Sequence, residues 1–286
     1  MRVHFITNIH RPDAQAAAQK TAAWFAERSI EVGVDTDTAK VTGLAAVESA
    51  NFGDADLVVA FGGDGTVIRA AHLCSHTGAP ILGVYFGRFG FVTQCTFDGI
   101  VDCLASFLDG NFEVERRMML DAELLRSGKV LAPLSALNEV VLQRDVTARM
   151  MTFQVVVDGH PVTSYPADGV IVATPTGSTA YNLSAGGPIL DPRVEALVLN
   201  AIAPHTLSAR PLVLSAGAEI RLRVLSNGDA VLSADGQTRL HLLGGDEVRV
   251  RKSSRITNLV TVDKNDFLGK LGQRLLWSHS HLGGSN

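Results

Sequence analysis

The chain has 286 residues, 46% of them hydrophobic and 19% charged, a composition that excludes dominant disorder and can fill one large or two moderate domains. A formal net charge of −4 provides no global positive field for collecting phosphates, so no nucleic-acid partner is expected. No apolar run approaches the ~20 residues of a spanning helix, and MRVHFITNIHRPD lacks a signal-peptide pattern, so a cytoplasmic protein with no membrane partner is expected.

Residues 1–115 alternate strand and helix signals, the pattern of a parallel sheet covered by helices. Val3–Thr7 reads as a strand, and Pro12 suits the first turn of a helix. On that helix Ala17, Thr21, Trp24, Phe25 and Arg28 share one side, Arg28 by its stem. Strands follow at Asp56–Phe61 and Ile81–Tyr85, separated by a short helix over Thr66–Cys74. Asp98 is placed to cap a helix that Asp109-Gly110 stops near Leu108.

From 116 to 265 short apolar or alternating segments recur about every ten residues. They are broken by turn dipeptides such as Asp158-Gly159, Asn227-Gly228 and Gly244-Gly245, which describes an all-β, sandwich-like second domain. Residues 266–286 return to helical spacing at Phe267, Leu271, Leu275 and Leu276 before a polar tail with His279 and His281. That helix is expected to pack back on the first domain. Cys74, Cys95 and Cys103 form no CxxC pair and read as buried or inert thiols.

The strand Leu57–Phe61 runs into Gly62-Gly63-Asp64-Gly65-Thr66 and then a helix, where open α/β sheets hold ligands. Glycine N–H groups and the helix start make a phosphate cradle that needs no lysine. Asp64 is the anomaly there: a carboxylate repels phosphate unless it serves a metal or a hydroxyl proton, and the alternative is that it caps the helix. Arg69, one turn on, offers a cation to the same phosphates or simply faces solvent. There is no GxxxxGK[ST], no GxGxxG, and no lysine between Lys40 and Lys129. Polyphosphate at this turn would therefore need a divalent metal, with Arg69 or Arg88.

In the β-rich part Asn138-Glu139 opens the apolar strand signal of ALNEVVLQR. Further on, ADGVIVATPTGSTAYNLSAGGP feeds an apolar strand into a Pro/Gly turn and a hydroxyl-rich helix start. Its small hydroxyls and open N–H groups suit ribose and phosphate oxygens, and Tyr181 adds an aromatic face.

FGGDGTVIRA, LNEVVLQR, ADGVIVATPTGSTAYNLSAGGP, PHTLSARPLVL and SADGQ, in this order over residues 56–277, resemble the NAD kinase family. GGDGT also occurs in diacylglycerol-type and sphingosine-type lipid kinases and in phosphofructokinases; the long TPTGSTAYNLSAGGP run is far more specific. The resemblance implies transfer of the ATP γ-phosphate to the adenosine-ribose 2′-hydroxyl of NAD, with Mg or Mn as divalent metal. It implies Asp64 as base or orienting group, Gly65 in its backbone cradle, Asn138 and Glu139 at adenosine and its ribose, and Asp168 at the nicotinamide end. Thr179, Ala180, Tyr181 and Ser184 would line the adenine and ribose pocket, and Gly62, Gly63, Gly65, Thr66 and Arg69 would meet ATP. Family members are commonly homodimers or homotetramers. Tyr85 stands where many members have Asn, and Pro166 where many close bacterial relatives have a basic residue, so preference between NAD and NADH does not carry over. The rival readings are a lipid kinase sharing GGDGT and a non-catalytic NAD(P)-binding sensor.

Overall fold

A computed structural model describes residues 1–87, 90–145, 150–225, 229–262 and 267–275. The chain divides into two compact units, 1–116 with 257–286, and 117–256. The division at 256 falls inside the last long strand, whereas the sequence pattern carried the β-rich domain to 265.

The first unit opens with β1 (Val3–Thr7), α1 (Pro12–Ala26), β2 (Val32–Val34), α2 (Thr36–Thr42), β3 (Leu57–Gly62), α3 (Asp64–Cys74), β4 (Ile81–Tyr85), β5 (Cys95–Thr96) and α4 (Ile100–Leu108). The strands lie in the order β2-β1-β3-β4, all parallel, with β5 beside β4. β1 and β3 are buried along their whole length, which is why they read as apolar runs rather than as alternation. Phe5, Phe25, Phe61, Leu82 and Leu104 share one core. Arg28 lies over the Trp24 ring at 3.8 Å, so its cation is held by an aromatic face as well as its stem.

Asp98 does not cap α4: the residue before that helix is Gly99, and no side chain caps it. Cys95 and Cys103 are joined as a disulfide between β5 and α4, against the expectation of three free thiols. Cys74 is free and buried, its thiol pushed up to about 12 by desolvation.

The second unit is built on β6 (Glu113–Arg126), β7 (Lys129–Ala136), β8 (Glu139–Arg144), β9 (Met151–Val157), β10 (His160–Ala167), β11 (Gly169–Ala173), α5 (Tyr181–Ser184), β12 (Ala196–Ile202), β13 (Leu212–Ser215), β14 (Ile220–Val224), β15 (Ala230–Ala234), β16 (Thr238–Leu242) and β17 (Glu247–Thr261). One antiparallel sheet runs β13-β12-β11-β8-β15-β16; the other contains β10-β9-β14-β17 and the β6–β7 pair. Val140, Leu142, Val170, Val172, Leu197, Leu199 and Leu232 face Phe153, Val155, Ile220, Leu222 and Val248 in a shared core, as a β-sandwich requires. The alternate residues Val141, Ile171, Ala173 and Val198 pack under Leu190 on the opposite face. Asp158 and Gly159 both adopt positive φ, as a hairpin turn needs, while Asn227-Gly228 lies outside the described residues.

The end of β17 pairs with β4 through Leu259 and Ile81 in the first unit. α6 (Phe267–Arg274) belongs to the same unit, with Lys270 Nζ donating to Gln94 Oε1 at 2.7 Å and Phe267 beside Phe91. The polar tail from 276 onward, with His279 and His281, lies outside the described residues.

Candidate functional site

In the first unit, Gly62 ends β3 and Gly63 stands just before α3, so Asp64, Gly65 and Thr66 open that helix. Gly62 must lack a Cβ because the Thr66 hydroxyl and Asn8 already fill the space. The turn leads out of the C-terminal end of a central parallel strand, the position that the strand-glycine-helix pattern predicts.

Asp64 does not cap its own helix. Its Oδ2 accepts the N–H of Phe91 at 2.8 Å and its Oδ1 that of Val92 at 3.2 Å, while Gly90 packs against the carboxylate so closely that any Cβ there would overlap it. Each carboxylate oxygen keeps lone-pair capacity beyond one N–H bond. The group is thus an oriented acceptor, and the helix-cap alternative is removed.

Arg69 is held from two sides. Its guanidinium donates to Thr7 O at 3.3 Å and to Asp35 Oδ2 at 3.2 Å, and Asp35 also accepts the Thr38 hydroxyl. Asp35 is buried, and nothing in the composition of GVDTDTAK marked it as the partner. Tyr85 ends β4 opposite Gly62 in register. Arg88 lies outside the described residues.

In the second unit, Asn138 and Glu139 lie where β7 gives way to β8. Glu139 is 8% exposed and its Oε2 has no hydrogen-bond partner among the described residues. Burial, with the nearby Asp235 charge, pushes its carboxyl up to about 8, and the Tyr181 backbone N–H pulls the other way. Such a carboxyl wants a polar partner, and no described residue supplies one to Oε2.

The 174–190 segment is held largely by its own hydroxyls and amides. Thr174 Oγ1 donates to Leu137 O at 2.6 Å, Ser178 Oγ to Pro175 O at 2.6 Å, and Thr179 Oγ1 to Thr176 O at 3.1 Å. Asn182, fully buried, donates to Ser178 O and Pro188 O. Arg117, also buried, donates to Thr176 Oγ1 at 3.4 Å. Much of the Ser/Thr density that suggested ribose and phosphate contacts is therefore scaffolding. Tyr181, 39% exposed, and Ser184 face outward at α5, beside Thr179 and Ala180. Asp168 pairs with Arg144 Nε at 2.7 Å, and Pro166 O accepts the His205 N–H at 2.7 Å.

Two family models together match most of the chain: the ATP-NAD kinase N-terminal domain over residues 3–112 and the ATP-NAD kinase C-terminal domain over 137–262. This chain belongs to the NAD kinase family. NAD kinases from Geobacter metallireducens and Magnetococcus marinus are 39% and 40% identical to it, covering 96% and 97% of the chain and 98% and 94% of the relatives. A crystal structure of yeast NADH kinase complexed with NADH superposes with a TM-score of 0.92 at 26% identity, covering all of this chain and 90% of the yeast one. An NAD kinase from Archaeoglobus fulgidus in complex with ATP superposes with a TM-score of 0.76 at 26% identity, covering 96% of this chain and 98% of the archaeal one. The NAD kinase activity, phosphorylation of NAD by ATP, follows from this membership, and the lipid-kinase reading falls with it.

No helix among the described residues is long and apolar enough to cross a membrane. No group of three or more His, Cys, Asp or Glu among them is arranged to hold a metal.

Proposed function

We propose that Asp64 is the base that takes the proton of the adenosine-ribose 2′-hydroxyl of NAD as that oxygen attacks the γ-phosphorus of ATP. The γ-phosphorus–oxygen bond to ADP breaks as the new ester bond forms, leaving NADP and ADP. The observation that carries this reading is the carboxylate's support: two N–H donors and Gly90 aim Asp64 away from its own helix cap. Because phosphoryl transfer has a loose transition state, alignment and charge neutralisation supply most of the acceleration.

The backbone turn of Gly62, Gly63, Gly65 and Thr66 holds the phosphates of ATP in this reading, although the Thr66 N–H is itself given to Gly63 O at 3.0 Å. Arg69 already shares its charge with Asp35, so it adds less to phosphate neutralisation than a free cation would. Asn138 and Glu139 hold adenosine and its ribose, with Glu139 Oε2 left to bond a ribose hydroxyl. Thr179, Ala180, Tyr181 and Ser184 line the adenine and ribose pocket, and Asp168 meets the nicotinamide end. Mg or Mn fits the donor set only as a cation carried largely by phosphates and water, with Asp64 the one carboxylate in the turn. When bound there, such a cation would supply charge neutralisation to the transferring phosphoryl group. We place the enzyme in the cytoplasm as a homodimer or homotetramer.

The test is NADP formation from NAD, ATP and Mg²⁺, read with an NADP-specific dehydrogenase, beside Asp64→Asn and parallel reactions with NADH and polyphosphate. Product from the wild type and its loss in the variant support the assignment. No product with NAD still bound in calorimetry would leave the sensor reading.

A further inference from the structure

The hairpin between β15 and β16 turns through Asp235 and Gly236, both at positive φ, with Gln237 N bonded to Ala234 O. Asn-Gly, Asp-Gly and Gly-Gly all suit such a turn, so local geometry alone does not select aspartate. The selection comes from across the sheet. Asp235 Oδ2 accepts Leu137 N at 2.7 Å, and Oδ1 accepts Asn138 N at 2.8 Å and Glu139 N at 3.0 Å.

The carbonyls of the same three residues are also held. Leu137 O takes the Thr174 hydroxyl, Asn138 O takes Thr174 N at 2.8 Å, and Glu139 O takes Asp235 N at 3.0 Å. Gly177 closes the other side, where a Cβ would run into the Asn138 carbonyl. Every backbone polar group of 137–139 is therefore committed, and the side chains of Asn138 and Glu139 have one defined origin each.

We propose that Asp235 is a positioning residue for the adenosine subsite: its one carboxylate gathers three successive N–H groups and so sets where Asn138 and Glu139 present their side chains to NAD. This rests on the assignment of Asn138 and Glu139 to adenosine. A carboxylate is required because a single neutral acceptor cannot serve both oxygen positions. In Asp235→Asn the carbonyl oxygen serves Asn138 and Glu139 while the NH₂ faces the Leu137 N–H; in Asp235→Ala all three bonds go.

Steady-state kinetics of wild type, Asp235→Asn, Asp235→Ala and Asn138→Ala, each first checked for folding by circular dichroism, test this, with the NAD Kd measured by calorimetry. A graded rise is expected, roughly threefold to tenfold in NAD KM for the Asn variant and more for Ala, with ATP KM within about twofold. If Asp235→Ala does not fold, the Asn variant carries the comparison. A fall in kcat with NAD KM and Kd unmoved would mean general support of the fold and would overturn the proposal. A raised NAD KM in Asn138→Ala with none in the Asp235 variants would overturn it while sparing the subsite. No change in any variant would overturn both.

Discussion

Gly90 leaves no room for a Cβ beside the Asp64 carboxylate, and the N–H groups of the next two residues hold that carboxylate in place. Gly90→Ala is thus a way to move the carboxylate that we propose as the base without changing its chemistry. A methyl group at 90 must displace Asp64, and misplacement on the order of 1 Å costs about a hundredfold in rate. We expect kcat to fall by roughly tenfold to a hundredfold with NAD KM changed only a few-fold. Steady-state kinetics check this; an unchanged kcat would show that the orientation of Asp64 is not critical.

Asp64→Asn removes the carboxylate and keeps the shape, apart from an NH₂ placed against one of the two N–H donors. A positioned general base contributes about 10²–10⁴-fold, so turnover should fall by that order while NAD binding stays within a few-fold. Calorimetry beside the coupled assay separates the two quantities. Loss of binding in proportion to turnover would assign Asp64 to holding NAD rather than to proton transfer.

The glycine turn at Asp64 was legible because it joins two strong local signals, a fully buried strand and a glycine cluster opening a helix. β1 and β4 were equally plain, each a short apolar run with turn residues beyond. β2 and α2 were not, since Val32–Val34 is only three residues long and TDTAKVT carries little apolar periodicity. The supports of the site were invisible for a different reason. Phe91 lies 27 residues from Asp64, and Leu137 lies 98 from Asp235; nothing in local composition records which loop N–H will meet which carboxylate. The hydroxyls of TPTGSTAY carry the reverse lesson: as a motif they mark the family, yet Thr174 binds the Leu137 carbonyl and Ser178 its own segment.

Tyr181 tests the outward face of that segment. Its neighbours Ser178 and Asn182 are buried and engaged, whereas its ring is exposed at the start of α5 and is available to an adenine or ribose. Tyr181→Ala should raise NAD KM by roughly threefold to tenfold, the scale of one aromatic contact, with little effect on Tm. A KM equal to wild type would place the ring outside the pocket.

Glu139 makes a prediction about pH. Burial, helped by Asp235, raises its carboxyl from the ordinary range to about 8 in the folded chain. An acid whose folded pKa lies above its unfolded value favours folding when protonated. Its contribution is complete below about 4.5 and is lost as pH rises through about 8. Glu139→Gln replaces the carboxyl by a neutral amide of the same shape and deletes this titration. Thermal melts of the ligand-free proteins from pH 5 to 9 should show the wild type losing Tm relative to the variant steadily between about pH 5 and 8, by several degrees in all, and levelling off above 8. Parallel curves would mean that Glu139 titrates at an ordinary carboxylate pKa, and that its Oε2 is solvated rather than kept for a ligand.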